Sequence, residues 1–182
     1  AGAPQLEAAR ARVGWRMLEL DSAGRAVRLT KPGMRIDLGG IAKGYILQEA
    51  LAVLRRHGVP RALVEAGGDV VVGDAPPDRA GWLIDIPGAG SVLRSRAASL
   101  TNVAASTSGA SEQFVEIDGV RYSHVVDPRT GLGVTAARTV TVLAADAGLA
   151  DALATAMSVL GPEQGRVLAT RFPGVASGFR DP

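Results

Sequence analysis

The chain has 182 residues, 47% hydrophobic and 21% charged, which suits one domain with a real core. Its 20 basic and 18 acidic side chains leave a net charge of +2, with no Lys/Arg cluster interleaved with aromatics, so composition argues against a nucleic-acid partner. Cysteine is absent and no run reaches the length of a membrane-spanning helix, which excludes disulfides, thiolate metal sites, thiol catalysis and a transmembrane segment in these residues.

Residues 5–13 favour helix by propensity, and Gly14 can stop it. Residues 15–20 and 26–29 read as short strands around a turn, and 34–38 as a third. After Gly39 and Gly40, the apolar residues Ile41, Tyr45, Leu47, Leu51 and Leu54 recur at helical spacing to about His57. His57 in the last turn suits the helix dipole, and Gly58 suits the cap. Residues 62–66 and 70–72 are β-rich and flank Gly67, Gly68 and Asp69; 74–78 is a loop and 82–86 a strand. A meander follows over 91–101, 103–106, 113–117 and 120–126, with Asp118-Gly119 as a hairpin signal. Residues 139–144 form a strand and 147–160 a helix ended by Gly161. Pro162 can open another helix to about residue 170, and 175–179 is a last strand. Several hairpins and about three helices, without strict βαβ alternation, predict an α+β fold: a mixed, largely antiparallel sheet with helices packed against it.

Five segments carry candidate chemistry. DLGGIAKG at 37–44 joins a strand to a helix through two glycines, which let backbone approach a ligand, and Lys43 is one of only two lysines. It is an anion site or a tight turn with a solvated lysine. EAGGD at 65–69 offers Asp69 after two glycines, as a ligand contact or as turn chemistry. STSG at 106–109 puts Ser108 and its neighbours where hydroxyls can meet phosphate or a flavin edge, or simply make a loop. RYSHVVDPRTG at 121–131 places His124 where a strand gives out, with Asp127 and Arg129 close by. An imidazole beside a carboxylate and a guanidinium suits proton transfer near an anionic substrate; the alternative is a surface hairpin. Finally, Asp151 and Thr155 stand at i, i+4 on one helix face, a hard-oxygen pair suited to Mg²⁺, unless Thr155 bonds back to the helix and Asp151 is solvated. Asp146 reads as that helix's N-cap.

Together these segments, in this order, resemble the ApbE family of FAD:protein FMN transferases, from about Val13 to the end. The resemblance implies an ApbE-like, T-fold-related domain over 1–182, the C-terminal portion of the usual family length. The first residues carry no signal peptide, and the family's N-terminal Phe-Asp-x-Thr-type segment is not among them. It implies FAD as substrate, Mg²⁺ as cofactor, and transfer of FMN to a Ser or Thr hydroxyl with release of AMP. The acceptor would be a flavoprotein subunit of a membrane redox complex, in the periplasm or at the outer membrane face. By motif position the resemblance makes His124 the base, puts Asp37, Lys43, Asp69 and Ser108 at the flavin nucleotide, and has Asp127 and Arg129 either order the His124 loop or touch the nucleotide. Gly40, through its carbonyl, with Asp151 and Thr155, ligates Mg²⁺. Two other readings stand beside this one: a nucleotide-binding module or FAD pyrophosphatase without protein transfer, and a ligand-free interaction domain.

Overall fold

The computed structural model describes residues 2–85, 97–109 and 113–181. Helix α1 (Ala3–Arg10) leads to the hairpin β1 (Leu18–Asp21) and β2 (Ala26–Leu29), then to helix α2 (Ala42–Arg56). Next come the hairpin β3 (Leu63–Ala66) and β4 (Asp69–Val72), the paired strands β5 (Trp82–Asp85) and β6 (Ala97–Leu100), and β7 (Val103–Gly109). The hairpin β8 (Phe114–Ile117) and β9 (Val120–Ser123) precedes the short pair β10 (Val126–Asp127) and β11 (Leu132–Gly133). Strand β12 (Thr139–Ala144), helix α3 (Ala147–Ala169) and strand β13 (Ala176–Arg180) finish the chain.

The central sheet has five strands in the order β13-β12-β7-β4-β3, and each neighbouring pair is antiparallel. Side chains alternate between its faces. Val71, Ala104, Val140, Val142 and Ala144 point toward α2 and α3, where they pack with Leu47, Leu51, Ala150, Leu153, Ala154 and Met157. On the opposite face Ala105 and Leu143 meet Ile84, Ala98 and Leu100 of the β5–β6 hairpin. The predicted α+β class and antiparallel sheet are therefore present. Among the described residues no helix is long and apolar enough to cross a membrane.

Local chemistry explains most boundaries. Asp118 and Gly119 take φ of 51° and 76°, the primed turn that antiparallel strands favour. Gly58 follows α2 at φ 79°. Gly161, at φ 79° and ψ 176°, breaks α3, and Pro162 opens its second leg. Three expected strands differ. Residues Trp15–Met17 form a 3₁₀ turn, and β1 begins only at Leu18. Residues 34–38 take no regular structure and have no ladder partner among the described residues, so β propensity there is not converted into a strand. The run 120–126 breaks at His124, because Ser123 Oγ accepts the Val125 N–H at 3.1 Å and turns the backbone. The expected strand over 91–101 lies partly outside the described residues, and β6 occupies its last part.

Helices α2 and α3 meet at their N-termini through a glycine. A Cβ on Gly44 would stand 2.1 Å from the Ala147 carbonyl oxygen and 2.8 Å from Asp151 Cβ. Both neighbours are fixed, one as backbone and one as the root of a buried side chain. Gly44→Ala is expected to destabilise the domain by about 3 kcal/mol, the upper end for overpacking, as read by urea denaturation.

Candidate functional site

The α2–α3 junction brings together residues far apart in sequence. Asp37 is exposed, and its Oδ1 accepts the Gly39 N–H at 2.7 Å, turning the chain toward the helix. Gly40 then passes close to Thr155: a Cβ there would lie 3.1 Å from Thr155 Cγ2 and 3.4 Å from its Oγ1. Four residues on, the Gly44 N–H donates to Asp151 Oδ2 at 3.1 Å. Asp151 is only 4% exposed, so it is not solvated. Burial pushes its carboxyl above the ordinary range, the Gly44 hydrogen bond opposes this, and the charges of Asp69 and Lys43 act in opposite directions. Ser158 Oγ bonds back to the Thr155 carbonyl at 2.8 Å, whereas the Thr155 hydroxyl has no hydrogen bond among the described residues. A buried carboxylate, an unengaged hydroxyl and a close backbone glycine fit a hard cation. Among the described residues no cluster of three or more His, Cys, Asp or Glu side chains could hold a metal. A cation here would draw on backbone, hydroxyl, water and ligand oxygens, which is the habit of Mg²⁺.

Lys43 lies on the first turn of α2, with Nζ 3.1 Å from Asp69 Oδ2 and 3.4 Å from the Gly67 carbonyl oxygen. Asp69 starts β4 and is 2% exposed. Its Oδ1 accepts from Ser106 Oγ at 2.7 Å and from the Thr107 N–H at 3.1 Å. Register places Asp69, Ser106 and Ser108 on the sheet face that carries the helices, with half-buried Ser108 opposite Val140. Glu65 Oε1 closes the intervening turn by accepting the Gly68 N–H at 3.1 Å.

His124 is exposed, just after β9. The Gln113 carbonyl accepts its backbone N–H at 3.0 Å and stands 3.2 Å from its Nδ1. A carbonyl only accepts, so in the neutral ring this contact favours the tautomer with the proton on Nδ1 and the lone pair on Nε2, the form a base needs. Asp127 accepts from the Arg129 guanidinium at 2.7 Å and from its backbone N–H at 2.8 Å, which together hold the carboxyl below its usual range. Arg129 Nη2 also donates to the Val159 carbonyl at 3.3 Å. Asp151, Thr155 and Val159 follow one another at i+4 along α3, so the His124 loop is pinned to the stripe that carries the cation candidates. His124 itself makes no hydrogen bond to Asp37, Lys43, Asp151 or Thr155 among the described residues.

Its bonds to Arg129 make the contribution of Asp127 to stability depend on pH. A carboxyl with a depressed folded pKa adds stability above the unfolded value, here 3.8, and loses it as pH falls through the folded value. Asp127→Asn should lower stability at pH 7, and the gap from wild type should close as denaturation is repeated below pH 3.8.

Gly44, Ser106 and Gln113 are site residues that the motifs do not single out. Gly44 and Ser106 fall within DLGGIAKG and STSG, and a second glycine four residues after Gly40 is a legible sign of close helix packing. Gln113 acts through its carbonyl, which every residue possesses, so no sequence signal marks it.

The geometry defines a class: an α+β domain that gathers acidic and hydroxyl oxygens and a lysine around one pair of helices, with a histidine loop pinned to the second of them through Arg129. The chain belongs to the ApbE family, whose sequence model matches residues 2–179. It is 38% identical over 168 residues to the FAD:protein FMN transferase of Treponema pallidum, covering 86% of this chain and 46% of that protein. With the FAD:protein FMN transferase of Rhodobacter capsulatus it shares 37% identity over 157 residues, covering 81% and 28%. The crystal structure of apo flavinyl transferase ApbE from Pseudomonas stutzeri superposes with a TM-score of 0.80 at 33% identity, covering 98% of this chain and 57% of that one. The ApbE protein of Thermotoga maritima gives 0.80 at 34%, covering 97% and 58%. The chain thus spans about half the length of most curated relatives it matches.

Proposed function

We propose that the chain transfers FMN from FAD to a Ser or Thr hydroxyl of a target protein, releasing AMP, with Mg²⁺ as the required cation. The observation that carries this reading is the convergence of separate motifs at one corner: Gly40 on Thr155, Gly44 on Asp151, Lys43 on Asp69 and Asp69 on Ser106. The reaction itself comes from what the relatives are named for.

In the proposed step the acceptor oxygen attacks the FMN phosphorus of FAD. A phosphoester bond forms, the anhydride bond breaks, and AMP leaves with the bridging oxygen. Nε2 of His124 takes the hydroxyl proton. Lys43 sets positive charge beside the pyrophosphate, Asp37 and Ser108 contact the nucleotide, and Asp127 with Arg129 keeps the His124 loop in place. Mg²⁺, held by the Asp151 carboxylate, the Thr155 hydroxyl and the Gly40 carbonyl, would offset charge on the pyrophosphate and the departing AMP. The acceptor in this reading is a flavoprotein subunit of a membrane redox complex, met in the periplasm or at the outer membrane face.

Incubating the chain with FAD, Mg²⁺ and a Ser/Thr acceptor peptide should yield a peptide with covalent flavin fluorescence after denaturation. Unlabelled peptide with intact FAD overturns the reading. Unlabelled peptide with released FMN and AMP means that water takes the acceptor's place at the exposed His124.

A further inference from the structure

We infer that Asp69 is a positioning residue: from beneath the helix layer it fixes the Lys43 ammonium in the ligand site and couples it to the hydroxyl run of β7. The inference rests on Lys43 meeting the FAD pyrophosphate, as proposed above.

The two oxygens of Asp69 are used differently. Oδ1 is fully engaged by Ser106 Oγ and the Thr107 N–H. Oδ2 is buried without an aligned hydrogen-bond donor, and the group facing it is Lys43 Nζ at 3.1 Å. A buried carboxylate oxygen given only a charge contact is costly to fold around, and turn formation does not require it. Glu65 already closes the Gly67–Gly68 turn through the Gly68 N–H. The lysine keeps 46% of its side chain exposed while the aspartate keeps 2%, so one partner faces solvent and the other lies behind it.

Lys43 has no anchor on its own helix. Its ammonium is placed by Asp69 Oδ2 and the Gly67 carbonyl, and its stem passes 3.8 Å from where a Gly67 Cβ would stand. A four-carbon stem with three rotatable donors holds one position only while such partners hold it. Asp69 also ties three motifs together at one carboxylate: the start of α2, the β3–β4 turn and β7.

The test uses the fact that the chain has two lysines, Lys31 and Lys43, so amine labelling read by mass spectrometry has an internal reference. Asp69→Asn keeps an oxygen acceptor for Ser106 and Thr107 but turns an amide NH₂ toward Lys43. Labelling of Lys43 relative to Lys31 should rise about threefold, as for loss of a half-exposed ion pair. The FAD dissociation constant with Mg²⁺, followed by flavin fluorescence, should rise about tenfold, and alike in Asp69→Asn, Lys43→Met and the double variant. Ser106→Ala, which loosens Oδ1, should move both readouts the same way, and it carries the test if Asp69→Asn does not fold. Unchanged labelling in the folded variants overturns the inference. So does a further loss of FAD affinity when Asp69→Asn is added to Lys43→Met, because Asp69 would then act independently of the lysine. A wild-type chain that binds no FAD while the labelling ratio still moves overturns the proposed function and leaves the hold of Asp69 on Lys43 standing.

Discussion

Replacing His124 by Ala should lower covalent FMN transfer by about 10²–10⁴-fold, the usual contribution of a positioned general base, while FAD binding persists. The geometry supports this separation. The imidazole is exposed, its side-chain partner is the Gln113 carbonyl, and among the described residues it bonds neither to the candidate cation residues nor to Lys43. Removing it therefore leaves the Asp151–Gly44 and Lys43–Asp69 contacts intact. Added imidazole should recover part of the rate, since a free base can enter the gap. Transfer is read as flavin fluorescence on the denatured peptide, and binding as quenching of FAD. If both fall together, His124 belongs to the binding wall and the base must be sought elsewhere.

The elements that depend on local rules were legible. The Asp118-Gly119 turn, the Gly58 cap and the Gly161–Pro162 break each follow from backbone preferences of a few residues, and each is present. Residues 34–38 show where such rules stop: β-prone residues become a strand only beside a partner, and partners are a tertiary matter. The site divides in the same way. The i, i+4 spacing of Asp151 and Thr155 is a property of α3, but the Gly44 contact to Asp151 spans 107 residues and has no local signature. For Asp69 the sequence offered two roles, turn or ligand contact. The structure adds a buried place on the helix-covered face of the sheet, which became visible only once the register of β4 and β7 was known.

Asp151→Asn should separate the demands of stability from those of function. In wild type, FAD with Mg²⁺ at about 100 times the dissociation constant should add about 2.7 kcal/mol, which for a domain of this size raises Tm by roughly 5–10 °C. The variant should lose the Mg²⁺-dependent part of that rise, and transfer should fall by about 10²–10³-fold, as when one electrostatic support of a developing charge is removed. Without ligands, its Tm should equal or exceed that of wild type. An amide keeps an oxygen for the Gly44 N–H, and it removes a buried negative charge that burial and the neighbouring Asp69 both disfavour. A residue chosen for packing alone would show the reverse, a lower Tm with the Mg²⁺ response preserved, and that result would take Asp151 out of the cation site. On the proposed reading, the charge at this position is a folding cost that a cation would offset when the ligand is bound.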